Sequence, residues 1–192
     1  MKIYDFDNTI YRGDSTVDFY LYFLKRHPKM ICTFPKLIGG FVKYYILKKG
    51  TKTELKEKMY TFLQYCDTEN DVEEFWKKNI RNIKDWYKNQ QRHDDLIISA
   101  SPEFLLKTPC EILGIKNLMA SKVDPHTGKY HGVNCHGKEK VRRFYEKYPE
   151  ASTVHEFYSD SYSDTPLAEI AEKSFMVKGD NISKWNFNRW HY

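Results

Sequence analysis

The chain has 192 residues, 41% hydrophobic and 16% aromatic, with 30% charged and a formal net charge of +5; that is enough apolar material for one packed core with a modest insertion, and too much for a disordered chain. Lys and Arg are spread along the sequence without a dense basic run or a recognisable nucleic-acid module, so the positive balance suits a small anionic substrate and argues against nucleic acid. Cys32, Cys66, Cys110 and Cys135 lie far apart with no C-x-x-C pairing, which argues against a zinc ribbon or disulfide framework and suits reduced thiols in a cytoplasmic protein.

The first predicted element is a short strand, Lys2-Ile3-Tyr4, which runs into Asp5-Phe6-Asp7-Asn8-Thr9. No charged-then-apolar leader precedes it, and this again favours the cytoplasm. Side chains two apart on an extended chain point to one side, so Asp5 and Asp7 can both face a site beyond the strand end. Two carboxylates there call for a cation, and a divalent metal is the obvious partner. A solvated loop after an edge strand is the plainer alternative.

Residues 15–90 then read as helix after helix. The stretch 18–26 carries Phe19, Tyr22 and Phe23; 53–65 carries Leu55, Met59, Phe62 and Leu63; 71–89 carries Val72, Phe75, Trp76, Ile80, Ile83 and Tyr87. These stripes read as packing faces. The apolar stretch 30–47 is interrupted by Pro35, Lys36, Gly39-Gly40 and Lys43, so it falls short of a membrane span. It reads as helices with a buried face, the alternative being an interfacial surface that touches lipid without stable insertion.

From residue 94 the pattern changes. A strand at 95–99, a helix at 102–113 ended by Gly114, a strand at 117–123 and a hairpin-like excursion at 128–135 come first. A helix around Lys140, a strand at 154–159, a helix at 166–173 and a strand at 175–178 follow. Such alternation predicts an α/β fold with an open parallel sheet, joined by the N-terminal strand. The division is a core of residues 1–14 and 91–192, with 15–90 inserted as an all-helical cap. In open sheets of this kind ligands bind beyond the carboxyl ends of the strands, where strand order reverses. The aromatic tail, 185–190, reads as a cap on the core edge.

Four motifs stand in order along the chain. They are Asp5-Phe6-Asp7-Asn8-Thr9; Ser99 after Leu96-Ile97-Ile98; Lys140 ahead of Val141 and Phe144; and Asp160 and Asp164 in the loop after Phe157-Tyr158. On these residues the whole chain resembles the haloacid dehalogenase-like (HAD) hydrolase superfamily, in particular its phosphoserine-phosphatase-like branch, subfamily IB. The resemblance implies a Rossmann-like parallel sheet with a helical cap. It also implies a Mg²⁺-dependent phosphomonoester phosphatase acting on a small organic phosphate through an aspartyl-phosphate. Asp5 would be the nucleophile and Asp7 the general acid. Mg²⁺ would sit on the carboxylates of Asp5 and Asp160 and the main-chain carbonyl of Asp7, with Asp164 supporting it from behind. Ser99, the Ala100 amide and Lys140 would hold the phosphoryl group, Lys138 being the alternative lysine, and Thr9 would fix the loop.

The match has departures. Asp14 stands where phosphoserine phosphatases carry a glutamate that contacts the substrate's amino group, but with Ser15 and Thr16 it reads first as a helix N-cap region. The branch's S-G-G is replaced by Ser99-Ala100-Ser101, with Ser101 a candidate cap for the next helix. These changes, with the aromatic cap, point to a leaving group other than serine. Phosphoserine phosphatase proper, a phosphotransferase using the same site, and a non-catalytic Mg²⁺ or phosphate-binding protein are the rival readings.

Overall fold

In the computed structural model, which describes residues 1–65, 67–150 and 154–188, six strands form one sheet. They are β1 (Lys2–Tyr4), β2 (Leu96–Pro102), β3 (Asn117–Ser121), β4 (Val154–Ser159), β5 (Ala171–Lys178) and β6 (Asn181–Lys184). Their order is β3-β2-β1-β4-β5-β6. The first five are mutually parallel, and β6 returns antiparallel along β5. Strand order reverses at β1, which pairs with β2 on one side and β4 on the other, Tyr4 lying level with Ile97 and Tyr158.

The period-two alternation of these strands sorts the core into two layers. Ile3, Leu96, Ile98, Phe157 and Met176 bury on one face. Tyr4, Ile97, Ala120, Tyr158 and Val177 bury on the other. The first face is covered by α7 (Lys138–Lys147) and α8 (Thr165–Ala168), through Phe144, Leu167 and Ala168. The second is covered by α6 (Glu103–Ile112) and by helices from the long segment between β1 and β2. That segment holds α1 (Ser15–Arg26), α2 (Phe34–Phe41), α3 (Lys52–Met59), α4 (Thr68–Asn79) and α5 (Asp85–Lys88), joined by 3₁₀ turns and by a π turn at Val42–Ile46. Asp14 caps α1, its side chain accepting from the amides of Thr16 and Val17 at 3.0 Å each.

Among the described residues, the helical segment shares its core with the sheet. Phe19, Phe62, Phe75 and Trp76 are buried in one cluster with Phe6, Tyr11, Ile97 and Leu105. Trp76 is the keystone, edge-on to Phe6 and Tyr11 with centroids 5.8 and 5.3 Å away, while its indole N–H donates to Leu105 O at 2.7 Å. Trp76→Ala leaves a cavity and an orphaned carbonyl, and should cost about 3–5 kcal/mol. A thermal melt should then fall by roughly 10 °C. An unchanged melt would mean that the segment is not coupled to the sheet.

Several expectations need correction. The predicted helix at 166–173 stops at Ala168, because the chain from Ala171 is claimed by β4, with Val154 opposite Ala171 and Glu156 opposite Lys173. The sheet is not wholly parallel, since Gly179-Asp180 closes a two-residue hairpin into β6. Ser101 is not a cap: β2 continues to Pro102, which takes the N-cap position, and α6 starts at Glu103. The stretch 30–47 buries Met30, Thr33 and Gly40, yet turns Ile31, Ile38, Phe41, Tyr45, Ile46 and Leu47 outward. Trp185 is buried against Phe157 and Tyr162, whereas Arg189 and Trp190 lie outside the described residues. Cys32, Cys110 and Cys135 are free thiols, and Cys66 lies outside the described residues. No helix among the described residues is long and apolar enough to cross a membrane.

Candidate active site

Central strand β1 ends against β4, the Asp5 amide donating to Tyr158 O at 2.9 Å. The chain then turns tightly. Ile10 and Tyr11 amides both donate to Phe6 O at 3.0 Å, and Asn8 adopts φ 56°, a left-handed conformation that asparagine tolerates better than most residues. This turn and the ends of β2 and β4 enclose a cavity of about 290 Å³. Asp5, Asp7, Asp14, Ser99, Ala100, Lys140, Asp160 and Asp164 all line it. Thr9 is buried beside it, its Oγ1 accepting from the Asp160 amide at 2.9 Å and tying the β1 loop to the β4 loop.

Lys140 is the electrostatic centre. Its side chain is only 2% exposed, and its ammonium donates to Asp5 Oδ1 at 2.7 Å and Asp164 Oδ2 at 2.8 Å. Burial opposes that charge, but Asp164 and Asp5 outweigh it and hold Lys140 protonated, above its ordinary range. Lys138 is exposed on the same helix. Asp164 Oδ2 also accepts from Ser159 Oγ at 2.8 Å.

Asp7 sits differently. Its Oδ1 accepts from the Ser15 amide at 2.7 Å and its Oδ2 from the Ser101 hydroxyl. Burial pushes its carboxyl up to about 6, with Asp14 adding and the Ser101 and Ser15 bonds opposing. Asp5 is pushed up to about 8, again by burial, with Lys140 opposing and Asp164 and Asp7 adding. Asp160 is raised by burial against the pull of Lys178.

Five carboxyl groups thus line the cavity with the two ammonium groups of Lys140 and Lys56, and Asp164 Oδ1 is buried without a hydrogen-bond partner among the described residues. The missing positive charge and the all-oxygen donor set fit a hard divalent cation. No group of three or more His, Cys, Asp or Glu among the described residues forms a metal cluster. Sparse protein coordination of this kind is what Mg²⁺ accepts while keeping waters and substrate phosphate.

Other residues contribute without having been singled out in the sequence. Lys56, from α3, reaches Ala100 O at 3.2 Å and Asn134 Oδ1 at 3.3 Å, and His136 also lines the cavity. Lys84 is almost wholly buried, and its ammonium donates to Asn8 O at 2.5 Å and Gly179 O at 2.6 Å. Burial pulls its pKa down, Asp180 opposing. Alongside it the two passages between sheet and helical segment are hydrogen-bonded together: Arg12 N donates to Asn82 O at 2.9 Å, Lys84 N donates to Ile10 O at 2.8 Å, and Tyr11 bridges to Ile83. Thr16, Val17, Lys56, Met59 and Tyr60 face the cavity from the first helices of the segment and the turn after α3. The rings of Phe19, Phe23, Phe62 and Phe75 are spent in the core.

The sequence pattern of the haloacid dehalogenase-like hydrolase family matches residues 3–169. A histidinol-phosphatase of Neisseria meningitidis serogroup C (strain 8013) is 26% identical over 98 residues, a stretch spanning 45% of this chain and 44% of that protein. Among solved structures, a protein of unknown function from Bordetella pertussis Tohama I is similar with a TM-score of 0.66 and 19% identity, over 91% of this chain and 87% of that one. A phosphoserine phosphohydrolase-like protein from Francisella tularensis subsp. tularensis SCHU S4 is similar with a TM-score of 0.52 and 18% identity, over 91% and 86%. At these identities the structural likeness establishes a shared fold. With the sheet order, the strand-end residues and a family pattern that spans most of its length, the chain belongs to the haloacid dehalogenase-like hydrolase family.

Proposed function

We propose that the protein is a cytoplasmic, Mg²⁺-dependent phosphomonoester phosphatase that works through an aspartyl-phosphate on Asp5. The observation that carries this reading is the buried ammonium of Lys140 bridging Asp5 and Asp164 beside a separately held Asp7. Residues 1–14 and 91–192 serve as the catalytic core and 15–90 as the cap.

The residues divide the work as follows. Asp5 attacks phosphorus, forming an acyl-phosphate bond as the ester P–O bond breaks. Asp7, its carboxyl raised by burial and so able to carry a proton, gives that proton to the departing alcohol oxygen. A water then attacks phosphorus, Asp7 takes its proton, and Asp5 is released with inorganic phosphate. Lys140 orients Asp5 and offsets charge on the phosphoryl group. Ser99 and the Ala100 amide hold phosphoryl oxygens, and Ser101 fixes the orientation of Asp7. Asp5, Asp160 and the Asp7 carbonyl would hold Mg²⁺, which supplies a Lewis acid against the repulsion between anionic nucleophile and phosphate.

A screen of phosphomonoesters with Mg²⁺ and with EDTA tests this directly. Phosphate release that needs the metal is the expected result; release unaffected by EDTA would overturn the metal assignment, and no release from any ester would overturn the hydrolase reading. Asp160→Ala should lower kcat/KM at fixed Mg²⁺, and excess metal should partly restore it. Asp164→Ala should cost less, about 10 to 100-fold, as a group that orients the site without holding the ion.

The cavity suits a small ester, and Asp14 on its wall gives a place for a cationic substituent. Asp14→Asn keeps a good N-cap and deletes the charge. It should therefore lower kcat/KM for amine-bearing phosphates while sparing p-nitrophenyl phosphate. Equal effects on both would leave Asp14 as a helix cap only.

A further inference from the structure

Residues 19–53 carry eight Lys and Arg and no Asp or Glu. Within that run, Ile31 is 64% exposed, Tyr45 62% and Ile46 72%, with Ile38, Phe41 and Leu47 beside them in sequence and also outward. Apolar surface of this density is uncommon on a monomer and marks a contact surface. Lys29, Lys48 and Lys49 are exposed at its two ends, and Lys43 is held to Glu54 at 2.7 Å.

The opposite side of this segment is already used. Gly40 is buried against α3, where an added Cβ would come within 2.8 Å of Lys58 Cδ and 3.3 Å of Leu55 Cδ1. The outward apolar side chains are thus not waiting to fold back onto the helices beneath. Lys56 and Met59 of α3 reach the active-site cavity, so the surface rides on the helix that forms part of its wall.

Charge decides between occupants. A second copy of the chain would bring two acid-free basic segments together, and like charges across an interface oppose association. A bilayer rich in anionic phospholipid offers an apolar interior and a negatively charged surface, which match both features. Pro35 and Gly39-Gly40 break the apolar run, so the segment would lie in the interface and not span it. We infer that residues 29–49 are a peripheral docking surface for an anionic phospholipid bilayer, with the apolar side chains entering the headgroup region and Lys29, Lys48 and Lys49 meeting lipid phosphates. This does not depend on the reaction proposed above.

The test is co-sedimentation of the full chain with phosphatidylcholine vesicles, alone or with about one-third phosphatidylglycerol. Binding to the anionic vesicles only, weakened by salt, is the expected result. Ile46→Ser/Leu47→Ser should lower vesicle affinity by roughly 10-fold or more without changing the melting temperature or the hydrolysis of p-nitrophenyl phosphate. Lys48→Gln/Lys49→Gln should lower it by about 5-fold per lysine. Failure to bind anionic vesicles, equal binding to neutral ones, or unaltered binding by the Ile46/Leu47 variant would overturn the proposal. A dimer in sedimentation equilibrium that the same variant dissolves would overturn it too, by assigning the face to a second copy.

Discussion

Asp5→Asn is expected to abolish turnover, by roughly 10⁴-fold or more, while the protein stays folded. The substitution removes the attacking oxygen and leaves Lys140 paired with Asp164. The sign of the stability change follows from the carboxyl's raised pKa. A group that binds its proton more tightly folded than unfolded contributes stability at low pH and loses it as pH rises through the folded value. In EDTA, the asparagine variant should therefore lose less melting temperature than the parent as pH rises. Loss of activity with a cooperative melt retained separates chemistry from folding. Multiple turnovers by this variant would remove the covalent route altogether.

Asp7→Asn should cost about 10² to 10⁴-fold on alkyl phosphates, the usual worth of a positioned acid and base. Asparagine keeps the size of the side chain and the main-chain carbonyl, and can still meet the Ser15 amide and Ser101 hydroxyl, so only proton transfer is deleted. p-Nitrophenol leaves without protonation, so the first step on p-nitrophenyl phosphate should be nearly spared and phosphoenzyme should accumulate. A uniform loss across leaving groups would instead give Asp7 a purely positional part.

The sequence is most legible where a strand end and a motif coincide. Lys2-Ile3-Tyr4 before Asp5 and Val154–Ser159 before Asp160 could be read because β-branched and aromatic residues mark the strands and the other motifs stand in order with the carboxylates that end them. Lys140 was readable through its followers, since Phe144 is buried one turn along the same helix. The helix predicted at 166–173 misled because its residues have fair helix propensity, while pairing with β4 is a long-range fact that overrides it. Polar, exposed β6 has no buried face to give it a period, although Gly179-Asp180 is a hairpin signal. Lys56 and Lys84 were invisible for another reason. Lys84 bonds main-chain carbonyls, and Lys56 bonds one beside the Asn134 side chain, groups that no motif records.

The paired passages at Tyr11–Ile83 bear on how anything enters or leaves the cavity. Two independent tethers would let the helical segment swivel over the sheet, but tethers laced to one another and bolted by Lys84 to the turn after β5 behave as one locked joint. Access must then come from the far margin, where Thr16, Val17, Met59 and Tyr60 meet the strand ends. The amides of Arg12 and Lys84 should accordingly be among the slowest to exchange with deuterium, and those around Met59 and Tyr60 among the faster, so that the gate lies opposite the lock.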